Sequence, residues 1–158
     1  MSPSSSVSPT PNAREEGYLV FSQSGGAVDI DAWNQHASRF FAARLGFASA
    51  APEDLSFVVA PDGATPGVRA AHARNTVPED HALAEAAEGG RGGGLALLAK
   101  RCGTVWLVER QDPADILALR LAAILASVLL GPIVDPAIPE IFGVKTAREK
   151  IRGYTTRS

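Results

Sequence analysis

Hydrophobic positions along the chain fall into short continuous runs and longer runs with a helical period. Tyr18-Leu-Val-Phe21 is a short apolar run ended by Ser24-Gly25-Gly26, the pattern of a buried strand. Ile30, Trp33, Ala37, Phe40, Phe41 and Leu45 recur close to every 3.6 residues, which predicts a helix with one apolar face. Asp29 caps its start, and Gly46 ends it in a left-handed turn. Leu55 to Ala60 predicts a second strand, closed by the turn Pro61-Asp62-Gly63.

Signals in the middle of the chain are weaker. Thr65-Pro66 predicts the cap and first turn of a short helix reaching about Arg74. Pro78 opens a stronger helix over Glu79 to Glu88, broken by glycines between Gly89 and Gly94. A helical pattern resumes from Leu95 to Arg101 and stops at Gly103. Thr104 to Glu109 has the strongest β-propensity of the three predicted strands.

Asp112-Pro113-Ala114-Asp115 sets acids and a proline where a helix start favours them. That helix is expected to run to Leu130, with Gly131 as the left-handed residue and Pro132 as the breaker. Ile133-Val134 and Glu140 to Val144 read as short extended pieces separated by Pro136 and Pro139. Thr146-x-x-Glu149 is a capping box and predicts a last short helix. Strands alternate with helices, and each crossover is long enough for a parallel connection. The pattern therefore predicts an α/β fold, a small layered sandwich with the strands inside; the alternative is a ferredoxin-like α+β sheet.

Length and composition refine this. At 158 residues and 46% apolar, the chain suits one globular domain. Residues 1–15 are Ser/Pro-rich and are expected to form a disordered leader, residues 16–144 a single α/β domain, and residues 145–158 a basic C-terminal helix or tail. The leader lacks the basic start and apolar core of a secretory signal. Cys102 is the one cysteine, so no intrachain disulfide framework exists and a cytoplasmic location is expected. Arg outnumbers Lys 12 to 3 and there are 27 alanines, a bacterial-like composition that follows GC-rich coding.

The apolar stretch from Ile116 to Val134 approaches the roughly 20 residues that cross a bilayer. Its alanine content is high, Arg120 lies inside it, and acids rather than a basic cluster precede it. A core helix is the expectation, and membrane insertion is not. The guanidinium of Arg120 must then reach water, a carboxylate or a partner chain.

Charge is unevenly placed. Residues 145–158 hold five basic side chains against Glu149 alone, whereas residues 1–144 hold ten basic and sixteen acidic ones. A net charge of −2 and a sequence pI of about 5.9 argue against a nucleic-acid binder. The basic end, Lys145, Arg148, Lys150 and Arg152 together with Arg120, is instead a candidate interface for an acidic partner or for the acidic body itself.

No catalytic motif is present. The glycines around Arg91 follow a helix and match neither GxxxxGK[ST] nor GxGxxG, so they read as a loop with at most a weak anion-binding capacity. His36, His72 and His81 lack metal-site spacing, so neither metal nor cofactor is expected. Cys102 beside Lys100 and Arg101 reads as a small packed residue. In an open parallel sheet, ligands bind beyond the carboxyl ends of strands. Ser24, Gly25, Gly26, Asp62, Thr65, Arg110 and Asp112 occupy those ends and, with Arg91, are the candidate ligand-binding set. Two functions follow as expectations. One is a small protein–protein association module, either an accessory subunit or a homo-oligomer; the alternative is a small-molecule enzyme or anionic-ligand-binding domain.

Overall fold

Tyr18–Ser22 (β1) contains no charged side chain and is buried along its whole length, because it has neighbours on both edges and helices over both faces. The computed structural model describes residues 17–23, 30–41, 55–59, 67–89, 93–110 and 115–157. The other strands are β2 (Leu55–Val59), β3 (Gly67–Asn75), β4 (Thr104–Val108), β5 (Ile133–Asp135) and β6 (Glu140–Phe142). The helices are α1 (Ile30–Phe41), α2 (Pro78–Glu88), α3 (Leu95–Lys100), α4 (Ile116–Leu129) and α5 (Val144–Arg157). Among the described residues, six strands form one sheet in the order β2-β3-β4-β1-β5-β6.

Side-chain alternation along the strands divides the core in two. Tyr18, Val20, Trp106, Val108, Ile133 and Phe142 face α1, α4 and α5. Leu19, Phe21, Val105 and Val134 face α2 and α3 together with Cys102. Helices on both sides of one sheet make the mixed α/β layered sandwich that the hydrophobic pattern predicts.

Every strand pairing is antiparallel, which corrects the parallel connection expected from the alternation of elements. A crossover long enough for a parallel return is also long enough to turn the chain round, so connection length did not fix direction. The predicted helix from Thr65 to about Arg74 is instead the strand Gly67–Asn75. Its alanines favour a helix locally, but β2 and β4 offer hydrogen bonds on both edges, and tertiary pairing prevails.

Helix α4 is nearly all apolar because it is the centre of its layer, with Ala118, Leu119 and every residue from Leu121 to Ala126 buried. Asp115 caps it, accepting from Ala118 N at 3.1 Å, so the capping acid is the second of the two that the sequence offered. Among the described residues no helix is long and apolar enough to cross a membrane. At its end Leu130, with φ 61°, takes the left-handed position expected of Gly131. The glycine is needed for another reason: a Cβ there would stand 1.7 Å from the Phe21 carbonyl oxygen. In α1, Trp33, Ala37 and Phe41 are buried, but Phe40 is 43% exposed rather than part of the apolar face.

A basic cleft as the candidate functional site

The described residues of α1 reach Phe41, and two arginines from other helices donate to the carbonyls of its last two described residues. Arg120 on α4 donates from Nη1 to the Phe41 carbonyl at 2.7 Å. Arg148 on α5 donates from Nη2 to the Phe40 carbonyl, and its guanidinium carbon lies 4.8 Å from the centre of the Phe41 ring. A third cation, Arg39, lies 5.3 Å above the Phe40 ring.

Between these helices a cleft of about 520 Å³ opens, lined by Phe40, Phe41, Arg120, Arg148, Ile151 and Arg152. None of the described lining residues is acidic. Arg120 is the innermost cation: its Nε is buried and has no acceptor, and burial holds its pKa below the usual arginine value. Hydrogen bonds to the Phe41 and Phe40 carbonyls occupy one nitrogen each of Arg120 and Arg148. They do not explain why Arg120, Arg148 and Arg152 line one hollow.

Beside the cleft, His36 on α1 is hydrogen-bonded through Nε2 to Ser127 Oγ of α4. Its ring packs 4.7 Å from that of Phe40 and 6.0 Å from that of Phe41. Burial and the nearby Arg148 lower its pKa. A hydroxyl on an imidazole is the first element of a nucleophile–base pair, but catalysis also needs a group that orients the imidazole. Ser127 and the two phenylalanine rings are the described partners of His36, and none of them does this. The pair ties α1 to α4.

Of the candidate interface residues, Arg120, Arg148 and Arg152 meet in this cleft. Lys150 instead pairs with Glu140 at 2.7 Å and covers the Phe142 ring, and Lys145 is exposed outside the lining. Of the candidate ligand-binding residues, Ser24, Gly25, Gly26, Asp62, Thr65, Arg91 and Asp112 lie outside the described residues. The parallel sheet on which that set depended is absent, since the strands alternate in direction.

Arg110 is described, and its charge is spent internally. Its Nη2 lies 3.1 Å from Asp135 Oδ1, with side chains 2% and 9% exposed, and its guanidinium carbon sits 4.5 Å over the Tyr18 ring. Burial opposes its charge, yet Asp135 and the Tyr18 hydroxyl more than offset this and hold its pKa above the usual value. Arg74 and Asp80 form a second internal pair, at 2.7 and 2.8 Å through both carboxylate oxygens. Asp80 also accepts from Val77 N at 2.8 Å, capping α2.

Cys102 is buried, donates to the Leu98 carbonyl at 3.4 Å, and has its thiol pKa raised by burial, opposite to what a nucleophile needs. His81 stacks on Phe21 with ring centres 6.1 Å apart. Among the described residues no group of three metal-ligating side chains converges. Sequence reasoning named the three arginines of the cleft but missed Phe40, Phe41 and Ile151. The sequence held no signal for them as site residues, since both phenylalanines fit the apolar face of the predicted helix.

Compared with family models, with curated proteins and with solved structures, the chain matches none. What the cleft does is therefore read from its own side chains.

Proposed function

We propose that the chain is a small association module that holds an acidic group of a partner in the cleft between α1, α4 and α5. The observation that carries this reading is the convergence of Arg120, Arg148 and Arg152 on one hollow with no acid among its described lining residues. Arginine suits the role because its planar fork gives paired hydrogen bonds to a carboxylate and stacks on aromatic rings. Phe40 and Phe41 provide those rings. A cytoplasmic setting belongs to this reading, supported by a lone, buried cysteine.

Native mass spectrometry of the full chain, purified gently from its own host, tests it against the double variant Arg148→Glu/Arg152→Glu. The expected result is a partner or adduct on the wild type that is lost from a variant with an unchanged circular dichroism spectrum. A bare wild-type monomer at 16.5 kDa, or a complex that survives in the variant, would overturn the reading.

A further inference from the structure

The sheet, in the order β2-β3-β4-β1-β5-β6, ends on one side at β6. Among the described residues β5 alone pairs with β6, through Ile133↔Phe142, Val134↔Ile141 and Asp135↔Glu140, and the outer edge of β6 meets no strand. We propose that this edge takes a second copy of the chain. The two β6 strands pair antiparallel about a two-fold axis at Ile141, and the two sheets become one. The pairing uses none of the residues that line the basic cleft and goes beyond the association reading above.

Side-chain alternation fixes which groups meet. Residues directly opposite each other in an antiparallel pair point to the same face. Ile141 packs on the α2 and α3 side of the sheet and Phe142 on the α5 side, so Glu140 also stands on the α5 side. An axis at Ile141 sets Ile141 opposite its own copy and Glu140 opposite Phe142 of the second copy. That register pairs all three residues of β6. A slip that set Glu140 opposite Glu140 would oppose like charges.

Charge favours this return. A short, charged edge strand ordinarily keeps sheets apart. Here Lys150 Nζ lies 2.7 Å from Glu140 Oε1 and 5.1 Å from the centre of the Phe142 ring. Its ammonium therefore stands beside the position that faces Glu140 of the second copy. Lysine has three donors; one meets its own Glu140, and another is within reach of the incoming one. Two lysines and two glutamates then alternate across the axis, and the edge charges attract where they would otherwise repel.

Apolar surface adds a third match. Ile138, in the turn before β6, is 55% exposed. In this register it comes level with Val144 of the second copy. Val144 lines a hollow of about 330 Å³ together with Leu95, Leu98 and Leu130. Pairing covers this surface twice, once on each side of the axis, as an isologous interface does. With only three residues in the strand the interface is small, and the pair is expected to be weak.

Sedimentation equilibrium of the full chain from about 1 µM to about 1 mM covers the range of such weak complexes. The mass is expected to rise with concentration from 16.5 kDa toward twice that value, and the chain to be single at the dilution of native mass spectrometry. Ile138→Glu, at an exposed turn position, is expected to weaken the pair at least about tenfold. Glu140→Lys is expected to weaken it likewise, and Glu140→Lys/Lys150→Glu to restore it, because the exchange keeps unlike charges across the axis. With Cys102→Ala to remove the buried thiol, Ile141→Cys is expected to form an intermolecular disulfide under copper phenanthroline. Gln35→Cys, exposed on α1, is expected to stay single in the same background.

A mass of 16.5 kDa at every concentration would overturn the self-pairing and leave the association reading of the cleft standing. A dimer that resists Ile138→Glu and forms no Ile141→Cys link would overturn the assignment of this edge.

Discussion

Arg120 Nη1 donates to the Phe41 carbonyl at 2.7 Å, and this bond is the only described protein contact of a guanidinium whose Nε is buried and unmet. It joins the centre of α4 to the end of α1. A charge held there by a carbonyl rather than a carboxylate is poorly compensated, as its lowered pKa records.

Arg120→Met keeps most of the side-chain packing and removes the charge. Its unfolding free energy in urea is expected to stay within about 1 kcal/mol of wild type, or to rise, because an apolar isostere replaces a weakly paired buried charge. A loss of about 3 kcal/mol or more, as on breaking a buried ion pair, would make Arg120 a structural charge and remove the reason to look for a ligand.

Arg110 and Asp135 behave in the opposite way. Their side chains are 2% and 9% exposed and 3.1 Å apart, so Arg110→Ala is expected to cost about 3–5 kcal/mol by stranding the Asp135 carboxylate. The double variant Arg110→Met/Asp135→Leu is expected to recover most of that loss. Urea titration of the three proteins checks both values, and an Arg110→Ala protein as stable as wild type would show that the pair is not formed in solution.

Leu130 and Gly131 give a prediction of opposite signs at adjacent positions. Leu130, with φ 61° and 63% exposure, sits in a backbone region that costs a residue with a Cβ about 1–2 kcal/mol. Leu130→Gly is expected to stabilise by up to about 1 kcal/mol, since the glycine's extra freedom in the unfolded chain offsets part of the gain. Gly131→Ala would place a Cβ 1.7 Å from the Phe21 carbonyl oxygen, so a loss of about 2–3 kcal/mol is expected from the forced shift. Thermal melts of the two variants decide the order.

His36 gives a pH signature. Burial, and then Arg148, lower its pKa from the usual 6.5, so the unfolded chain binds this proton more readily than the folded one. Stability from this residue is complete above about pH 6.5, is lost as the pH falls below that value, and levels off once the folded imidazole is protonated. The difference in stability between wild type and His36→Gln, followed from pH 7.5 to 5, should shrink as the pH falls. A difference independent of pH would contradict the lowered pKa.

The strands Tyr18–Ser22, Leu55–Val59 and Thr104–Val108 and the helices Pro78–Glu88 and Ile116–Leu129 were legible because short apolar runs, capping acids and breakers mark them locally. Strand direction was not, because it depends on which edges meet. Gly67–Asn75 was missed for the same reason: Ala70, Ala71 and Ala73 carry little strand signal of their own. At Leu130 and Gly131 the left-handed turn was legible to within one residue. The close approach to Phe21 was not, since it joins residues far apart in sequence. The cleft was half legible: charge patterning named Arg120, Arg148 and Arg152, but only the fold brings α1 against α4 and α5 and leaves Phe40 facing out.

The most direct test of the cleft is an amide NMR titration of the isotopically labelled full chain with an acetylated, amidated Glu-Asp-Glu peptide. Saturable shifts centred on Phe40, Phe41, Arg120, Arg148 and Ile151, and absent in Arg120→Met, are the predicted result. Shifts centred instead on the apolar groove around Leu98, Leu130 and Val144, or none, would contradict the assignment of this cleft as the site of association.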